Sequence, residues 1–157
     1  MSLSIVPVED RHVAEICRNM RTQEATEIVR LGRDPQSMIR HELATSMSTY
    51  AAVLDDEVIV LGGIKCPDFF SDEAYVWIIC SEAMARHSIA FVRRVLELFD
   101  NAKARYDSIW GFVVTDFTRS VRWVEWLGFT VEPPVNGVAL FWWGKRPNID
   151  LGSAHGH

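Results

Sequence analysis

Long apolar runs, paired cysteines and an excess of basic residues are all missing from this chain of 157 residues. No apolar run reaches the roughly 18 residues that a membrane-spanning helix needs, and the first residues lack the basic and apolar regions of a signal peptide. The net charge of −5 provides no overall attraction to nucleic acid. We therefore expect a cytoplasmic protein with no membrane span and no nucleic acid partner.

Cysteine is scarce and histidine is scattered. Cys17, Cys66 and Cys80 are odd in number and widely spaced, which argues against both a disulfide framework and a zinc site. No pair of histidines has the spacing of metal ligands. We therefore expect buried thiols in a reducing compartment and no metal centre.

Apolar residues, by contrast, are plentiful. They make up 48% of the chain, with six Trp and eight Phe, which is enough for the core of one domain. No repeat or low-complexity linker divides the chain. The sequence predicts a single domain over residues 1–147 and a flexible tail over residues 148–157, which ends in the small polar stretch GSAHGH.

Helix and turn signals set the order of the elements. Apolar spacing predicts a helix from Asp10, and a second short helix is predicted to begin after Thr22. Asp34 is the predicted N-cap of a further helix, and Asp55 with Asp56 joins two strands into a hairpin. The predicted order is one strand, two or three helices, three strands, a helix, a strand, a helix and two strands.

Three later segments complete this order. The stretch EAYVWIIC is apolar on both faces, which is typical of a central strand, and it precedes a helix that runs to about Arg105. Gly62 and Gly63 mark a bulge or a close backbone approach, and Gly128 ends the last helix.

This order and the stretch RSVRWVEWLGFTV resemble the GNAT superfamily of acyl-CoA-dependent N-acetyltransferases. The last helix of that family reads N-x-x-A-x-x-L-Y-x-x-x-G-F. Here Ser120 stands at the small position, Trp123 at the Leu, Val124 at the Tyr, and Gly128 with Phe129 closes the motif. The resemblance implies an α+β, three-layer fold with a mixed, mostly antiparallel sheet of about seven strands flanked by helices.

Two segments are also similar to small GNAT-like proteins of tailed bacteriophages and prophages, including relatives of an internal virion protein of T7-like phages. These segments are AYVWIICSEAMARHSIAFVRRVLELFDNAKARYDSIWGFV and TRSVRWVEWLGF. This closer resemblance implies a bacterial host cytoplasm or a virion as the location.

The superfamily resemblance also implies acetyl-CoA as the cofactor. In that family, backbone amides after the fourth strand and the N-terminus of the next helix hold the pyrophosphate, because both attract an anion. Ser88 and Ala90 fall at the two small positions of this loop, where the family has glycine at the first and glycine or alanine at the second. The implied cofactor-binding residues are Ile79, Cys80, Ser81, Ala85, Arg86, His87, Ser88, Ile89, Ala90 and Ser120.

A plainer interpretation of the loop stays open. Glycine is missing from it, and a Cβ at these positions restricts how closely a phosphate approaches the amides. In this interpretation Ser88 caps the helix without binding a phosphate, and the side chains of Arg86 and His87 are solvated.

Acetyl transfer to an amine needs a base and benefits from an acid for the leaving thiolate. Glu73 and Asp116, at the ends of two neighbouring strands, are the candidate bases, because the resemblance places both near the notch where those strands separate. The alternative for each is a solvated strand-end carboxylate. Val124 replaces the tyrosine that acts as the acid in many family members, so this acid is missing.

Tryptophan is concentrated near the C-terminus. Trp123 and Trp126 lie on the last helix, and Trp142 and Trp143 lie on the last strand, on opposite faces. They indicate either ordinary packing or a homodimer interface, where aromatic residues are enriched.

Two functions therefore stay open. One is an acetyl-CoA-dependent N-acyltransferase acting on a small-molecule or protein amine. The other is a catalytically impaired phage or prophage protein that serves as a binding or virion-associated component.

Overall fold

The computed structural model describes residues 3–20, 25, 34–66, 71–86, 88–115 and 118–149. Within these ranges the chain forms seven β-strands, four α-helices and one 3₁₀ helix. The predicted helix after Thr22 lies outside them, apart from Ala25, which is helical. No helix of the described ranges is both long and apolar enough to cross a membrane.

The elements follow the predicted order closely. Their bounds are β1 Leu3–Val6, α1 Asp10–Asn19, α2 Pro35–Thr45, β2 Ser48–Leu54, β3 Glu57–Lys65, β4 Glu73–Cys80, the 3₁₀ helix Glu82–Arg86, α3 Ser88–Arg105, β5 Ser108–Val114, α4 Thr118–Trp126, β6 Thr130–Val131 and β7 Val138–Gly144.

All seven strands belong to one mixed sheet. Its strand order is β1-β2-β3-β4-β5-β7-β6, in which β4 and β5 run parallel. The ladders β1–β2, β2–β3, β5–β7 and β6–β7 are antiparallel. The expected mostly antiparallel sheet of seven strands flanked by helices is therefore confirmed.

The chain divides into two compact units. The first comprises Met1–Lys65 with Trp77–Glu97, and the second comprises Cys66–Val76 with Leu98–His157.

Local signals in the sequence explain the first unit. Asp34 accepts a 2.9 Å hydrogen bond from the amide of Ser37 and caps α2, as predicted. Asp55 and Asp56 have φ of 50° and 64°, the conformation of a type I′ turn that matches the twist of a two-residue hairpin. Burial of Val13 and Ile16 on α1 adds apolar packing to this unit.

Histidine has a structural role at the start of α1. Nδ1 of His12 accepts a 2.9 Å hydrogen bond from the backbone amide of Glu9, the residue that precedes the helix. His12 is buried, which the sequence did not indicate. The bond satisfies a backbone donor at the helix entrance, in the manner of a capping box.

The two glycines of β3 mark a close approach. A Cβ on Gly63 would lie 2.6 Å from Nε1 of Trp77, so the indole packs directly against the strand backbone. The irregularity in the β2–β3 ladder falls at Ala52 and Val53 instead. Of the two predicted alternatives at Gly62 and Gly63, the close approach is therefore the one observed.

Aromatic packing forms the core of the second unit. Phe129 stands edge-on to Phe99 of α3 at 5.1 Å and to Phe141 of β7 at 5.0 Å. Gly111 of β5 makes room for Phe141, because a Cβ there would lie 2.5 Å from the ring. These contacts join α3 to the β5–β7 ladder.

Helix α4 ends as its sequence predicts. Gly128 has φ of 99°, and its amide bonds to the carbonyl of Glu125 at 3.0 Å. The amide of Phe129 bonds to the carbonyl of Val124 at 3.3 Å, which completes a Schellman motif. Glycine is required here because the left-handed conformation disfavours a side chain.

Candidate cofactor-binding site

The carboxyl end of β4 is buried and anchored. Ile79 and Cys80 are 4% and 5% exposed, and Ser81 is fully buried. The amide of Ser81 donates a 3.0 Å hydrogen bond to the carbonyl of Ile59, and its hydroxyl accepts one of 3.2 Å from the amide of Ala83. Ser81 therefore fixes the point at which the chain leaves the sheet.

A 3₁₀ helix over Glu82–Arg86 occupies what the sequence predicted to be a loop. Ala83 and Met84 are buried in it, and the carbonyl of Ser81 accepts a 3.1 Å hydrogen bond from the amide of Met84. Ala85 belongs to the same turn. Short apolar stretches give little periodicity, so sequence alone offered no signal for this element.

Arg86 is already paired. Its Nη2 lies 3.0 Å from Oε1 of Glu57 at the start of β3, and both side chains are exposed to solvent, at 62% and 40%. The sequence predicted either a charge that contacts the phosphate or a solvated side chain, and neither alternative included this partner. Because exposed ion pairs contribute about 0–1 kcal/mol, Arg86 can exchange Glu57 for a phosphate at little cost.

Helix α3 begins at Ser88 and runs for 18 residues to Arg105. The first amides of a helix, here those of Ser88, Ile89 and Ala90, have no acceptor within the helix. They carry the positive end of the helix dipole, which favours an anion. His87 lies outside the described residues, and the capping role of Ser88 stays a prediction.

Glu73 lies in the paired part of β4. It is the first residue of the strand and stands opposite Ser108, the first residue of β5. The parallel ladder joins Glu73–Tyr75 to Ser108–Trp110. The ladder extends two residues past Glu73, to Tyr75 and Trp110, and the role of Glu73 as a base stays a prediction.

The other predicted base, Asp116, lies outside the described residues. The residue before it, Thr115, is held by two hydrogen bonds to the carbonyl of Gly137, from its amide at 2.9 Å and from its hydroxyl at 3.1 Å. The assignment of Asp116 as a base stays a prediction.

Helix α4 supplies a small residue and an apolar one. Ser120 is partly exposed near the start of the helix, and Val124 is 6% exposed. Val124 is therefore a core residue at the position where the family pattern has tyrosine. Tyr106 is buried, and its hydroxyl accepts a 3.4 Å hydrogen bond from the thiol of Cys66.

The C-terminal tryptophans do not share one surface. Trp126 is 62% exposed on α4, whereas Trp142 donates a 2.8 Å hydrogen bond to Oε2 of Glu132. Trp143 is on the opposite face of β7 and lies under Nζ of Lys103, 5.2 Å from the ring centroid. A flat interface can include at most one of Trp142 and Trp143.

Comparison with known proteins identifies the fold. No protein-family model matches the chain, and no curated protein matches it. Solved structures do match. A GCN5-related N-acetyltransferase from Kribbella flavida has 20% identity and a TM-score of 0.66, with 92% of this chain and 98% of that chain covered.

Two further structures have the same fold. RimL, a ribosomal alpha-N-protein acetyltransferase in complex with coenzyme A, has 12% identity and a TM-score of 0.66, covering 92% of this chain and 94% of its own. A spermidine N-acetyltransferase chimera of SpeG from Vibrio cholerae and hSSAT has 13% identity and a TM-score of 0.64, with coverage of 90% and 94%. The chain therefore has the GNAT acetyltransferase fold. None of these three structures is described as a phage protein, so the resemblance to phage proteins stays a prediction.

Proposed function

We propose that the protein is an acyl-CoA-dependent N-acyltransferase. The observation that carries this proposal is the start of α3 at Ser88, directly after a buried strand and one 3₁₀ turn, within a fold shared with N-acetyltransferases. One structure with this fold is a complex with coenzyme A.

The residues present fit an anionic cofactor. The first amides of α3 offer donors to a pyrophosphate, and Arg86 offers an exposed charge whose present partner is exchangeable. We assign the pyrophosphate to Ser88, Ile89 and Ala90 with Arg86. The buried strand end at Ile79, Cys80 and Ser81, together with Ala85, His87 and Ser120, completes the assignment.

Acetyl-CoA, when bound, supplies an acetyl group activated as a thioester. Transfer forms an amide C–N bond and breaks the thioester C–S bond, so the amine loses a proton and the sulfur leaves as a thiolate. Asp116 and Glu73 are the proposed acceptors of the amine proton. Because Val124 is apolar and buried, this position provides no acid, and we propose that the thiolate takes its proton from water.

The amine acceptor is either a small molecule or a protein. Incubation with acetyl-CoA and a panel of amines, followed by mass spectrometry, tests the proposal. We expect a product heavier than one of the amines by one acetyl group, formed only with the protein present. If the protein binds coenzyme A but acetylates neither small amines nor proteins, the proposed acyltransferase activity is contradicted.

A second candidate function follows from the burial of Val124. A core valine in place of the family tyrosine, and the lack of glycine at residues 85–90, favour a GNAT-fold protein without efficient catalysis. That it is a phage or prophage protein acting as a binding or virion-associated component rests on the sequence resemblance alone. This function predicts no binding of acetyl-CoA or coenzyme A by folded protein. A homodimer is part of either function only through Trp126 or one face of β7, because the four tryptophans do not lie together.

A further inference from the structure

One face of the sheet in the second unit carries partly exposed aromatic rings. Tyr75 of β4 pairs with Trp110 of β5, and Trp110 pairs with Trp142 of β7, so the three side chains lie on the same face. Phe112, two residues after Trp110, shares it. We refer to Tyr75, Trp110, Phe112 and Trp142 as the aromatic face.

The rings of the aromatic face are close enough to act together. The centroids of Tyr75 and Trp110 are 4.8 Å apart, and those of Trp110 and Phe112 are 5.6 Å apart at 81°. Phe112 is 37% exposed, and Tyr75, Trp110 and Trp142 are partly exposed. Tyr75, Trp110 and Phe112 therefore form one cluster of rings that is partly accessible to solvent.

Burial on the opposite face shows that this exposure is not general. Ile109 and Ala139 are fully buried there, and Val113 and Phe141 are 9% and 8% exposed. Most of the core of this unit thus lies on that side, although Leu140, which is opposite Phe112 on the aromatic face, is also buried. Large aromatic residues concentrated on the other side are typical of a binding surface.

A carboxylate and a hydroxyl stand at one end of the aromatic face. Glu73 precedes Tyr75 by two residues and is therefore on the same face, directly opposite Ser108. Oγ of Ser108 is buried and has no hydrogen-bond partner among the described residues. Because this hydroxyl is inaccessible to solvent, a ligand on the aromatic face does not contact it, and Glu73 is the polar group available at this end.

The charge near the aromatic face favours a cation. Among the described residues, Glu73 forms no salt bridge. Arg146, beside Trp142, is held by Glu132 through a bidentate pair that includes a 2.8 Å bond from Nη2 to Oε1. Glu73 therefore brings to the aromatic face a negative charge that no salt bridge of the described residues neutralises.

We propose that the aromatic face and Glu73 form a binding site for an organic cation, a primary ammonium carried on an apolar body. Ring faces attract a cation within about 6 Å, and the apolar body covers the exposed rings. The carboxylate of Glu73 supplies hydrogen-bond acceptors for the ammonium. That the cation is the acyl acceptor rests on the proposed function, whereas its binding does not.

The test uses the protein without any acyl-CoA. Binding of 2-phenylethylamine is measured by calorimetry and tryptophan fluorescence, with 2-phenylethanol as the neutral ligand of similar shape. The variants are Glu73→Gln and Phe112→Leu. Trp126→Leu is the matched control, since Trp126 is the most exposed large apolar residue described and lies outside the aromatic face.

We expect the amine to bind at least about tenfold more tightly than the alcohol, because only the amine carries a charge. Each of the two variants is expected to weaken amine binding about threefold or more, and Trp126→Leu to leave it unchanged. Circular dichroism identifies any variant that fails to fold. Amine binding by the other variant then tests the inference.

Two results would overturn the inference. One is equal affinity for amine and alcohol, which would indicate only an apolar surface. The other is no binding at millimolar amine by folded protein. Neither bears on coenzyme A binding, so failure here is distinguishable from failure of the proposed function.

Discussion

Arg86 and Glu57 form an ion pair at 3.0 Å between the residue that ends the 3₁₀ helix and the first residue of β3. The pair holds a cation next to the start of α3, where the phosphate is proposed to bind. Glu57 thus competes with a phosphate for the same guanidinium.

Removal of this competitor is expected to strengthen cofactor binding. Glu57→Gln frees Arg86, and we predict that it raises coenzyme A affinity by about two- to fivefold, the range of an exposed ion pair. Glu97→Gln is the matched control, because it removes the same charge from another exposed pair, with Arg94 on α3. An equal effect of both variants in calorimetry would show that only net charge matters.

Gly63 is predicted to be sensitive to a single added methyl group. Gly63→Ala places a Cβ 2.6 Å from Nε1 of Trp77, and we expect a loss of about 1–3 kcal/mol in the free energy of unfolding. Trp77→Phe removes the atoms that clash. The cost of Gly63→Ala should therefore be smaller in that background, and an undiminished cost in denaturant titrations would show that the clash is not with the indole.

Glu132 is predicted to make stability depend on acid pH. Hydrogen bonds from Arg146, and less strongly from Trp142, lower the pKa of Glu132 below its ordinary 4.5, whereas partial burial opposes them. A lowered pKa in the folded state stabilises the protein above pH 4.5, and this contribution is lost as the pH falls through the lowered value.

The measurement compares the native protein with Glu132→Gln. At neutral pH we expect the variant to be less stable by about 1–3 kcal/mol, because charged hydrogen bonds are lost. Below pH 4.5 the two unfolding free energies should converge as Glu132 becomes protonated. A constant difference down to the lowest pH at which both fold would contradict the prediction.

Local chemistry explains which parts of the fold were predictable from the sequence. The cap at Asp34, the hairpin turn at Asp55 and Asp56 and the helix end at Gly128 depend on residues within a few positions of one another. Such signals are present in the chain itself, and the structure confirms each of them.

Contacts between distant residues were not predictable. Arg86 and Glu57 are 29 residues apart, and no pattern within either segment indicates the pair. The 3₁₀ helix over Glu82–Arg86 is too short to show a period. The position of Glu73 in the paired part of β4 depends on β5, so the residues proposed for chemistry were less predictable than the elements that carry them.

The most direct test of the account concerns the start of α3. Calorimetric titration with acetyl-CoA and coenzyme A is compared for the native protein, Ser88→Glu and Ser37→Glu. Ser37 is an exposed residue in the first turn of α2, so its variant adds the same charge to the same kind of helix position.

We predict micromolar binding by the native protein and by Ser37→Glu, and affinity lower by about tenfold or more for Ser88→Glu, because the added carboxylate repels the pyrophosphate. No binding by folded native protein, or equal binding by both variants, would contradict the proposal that α3 holds the phosphate.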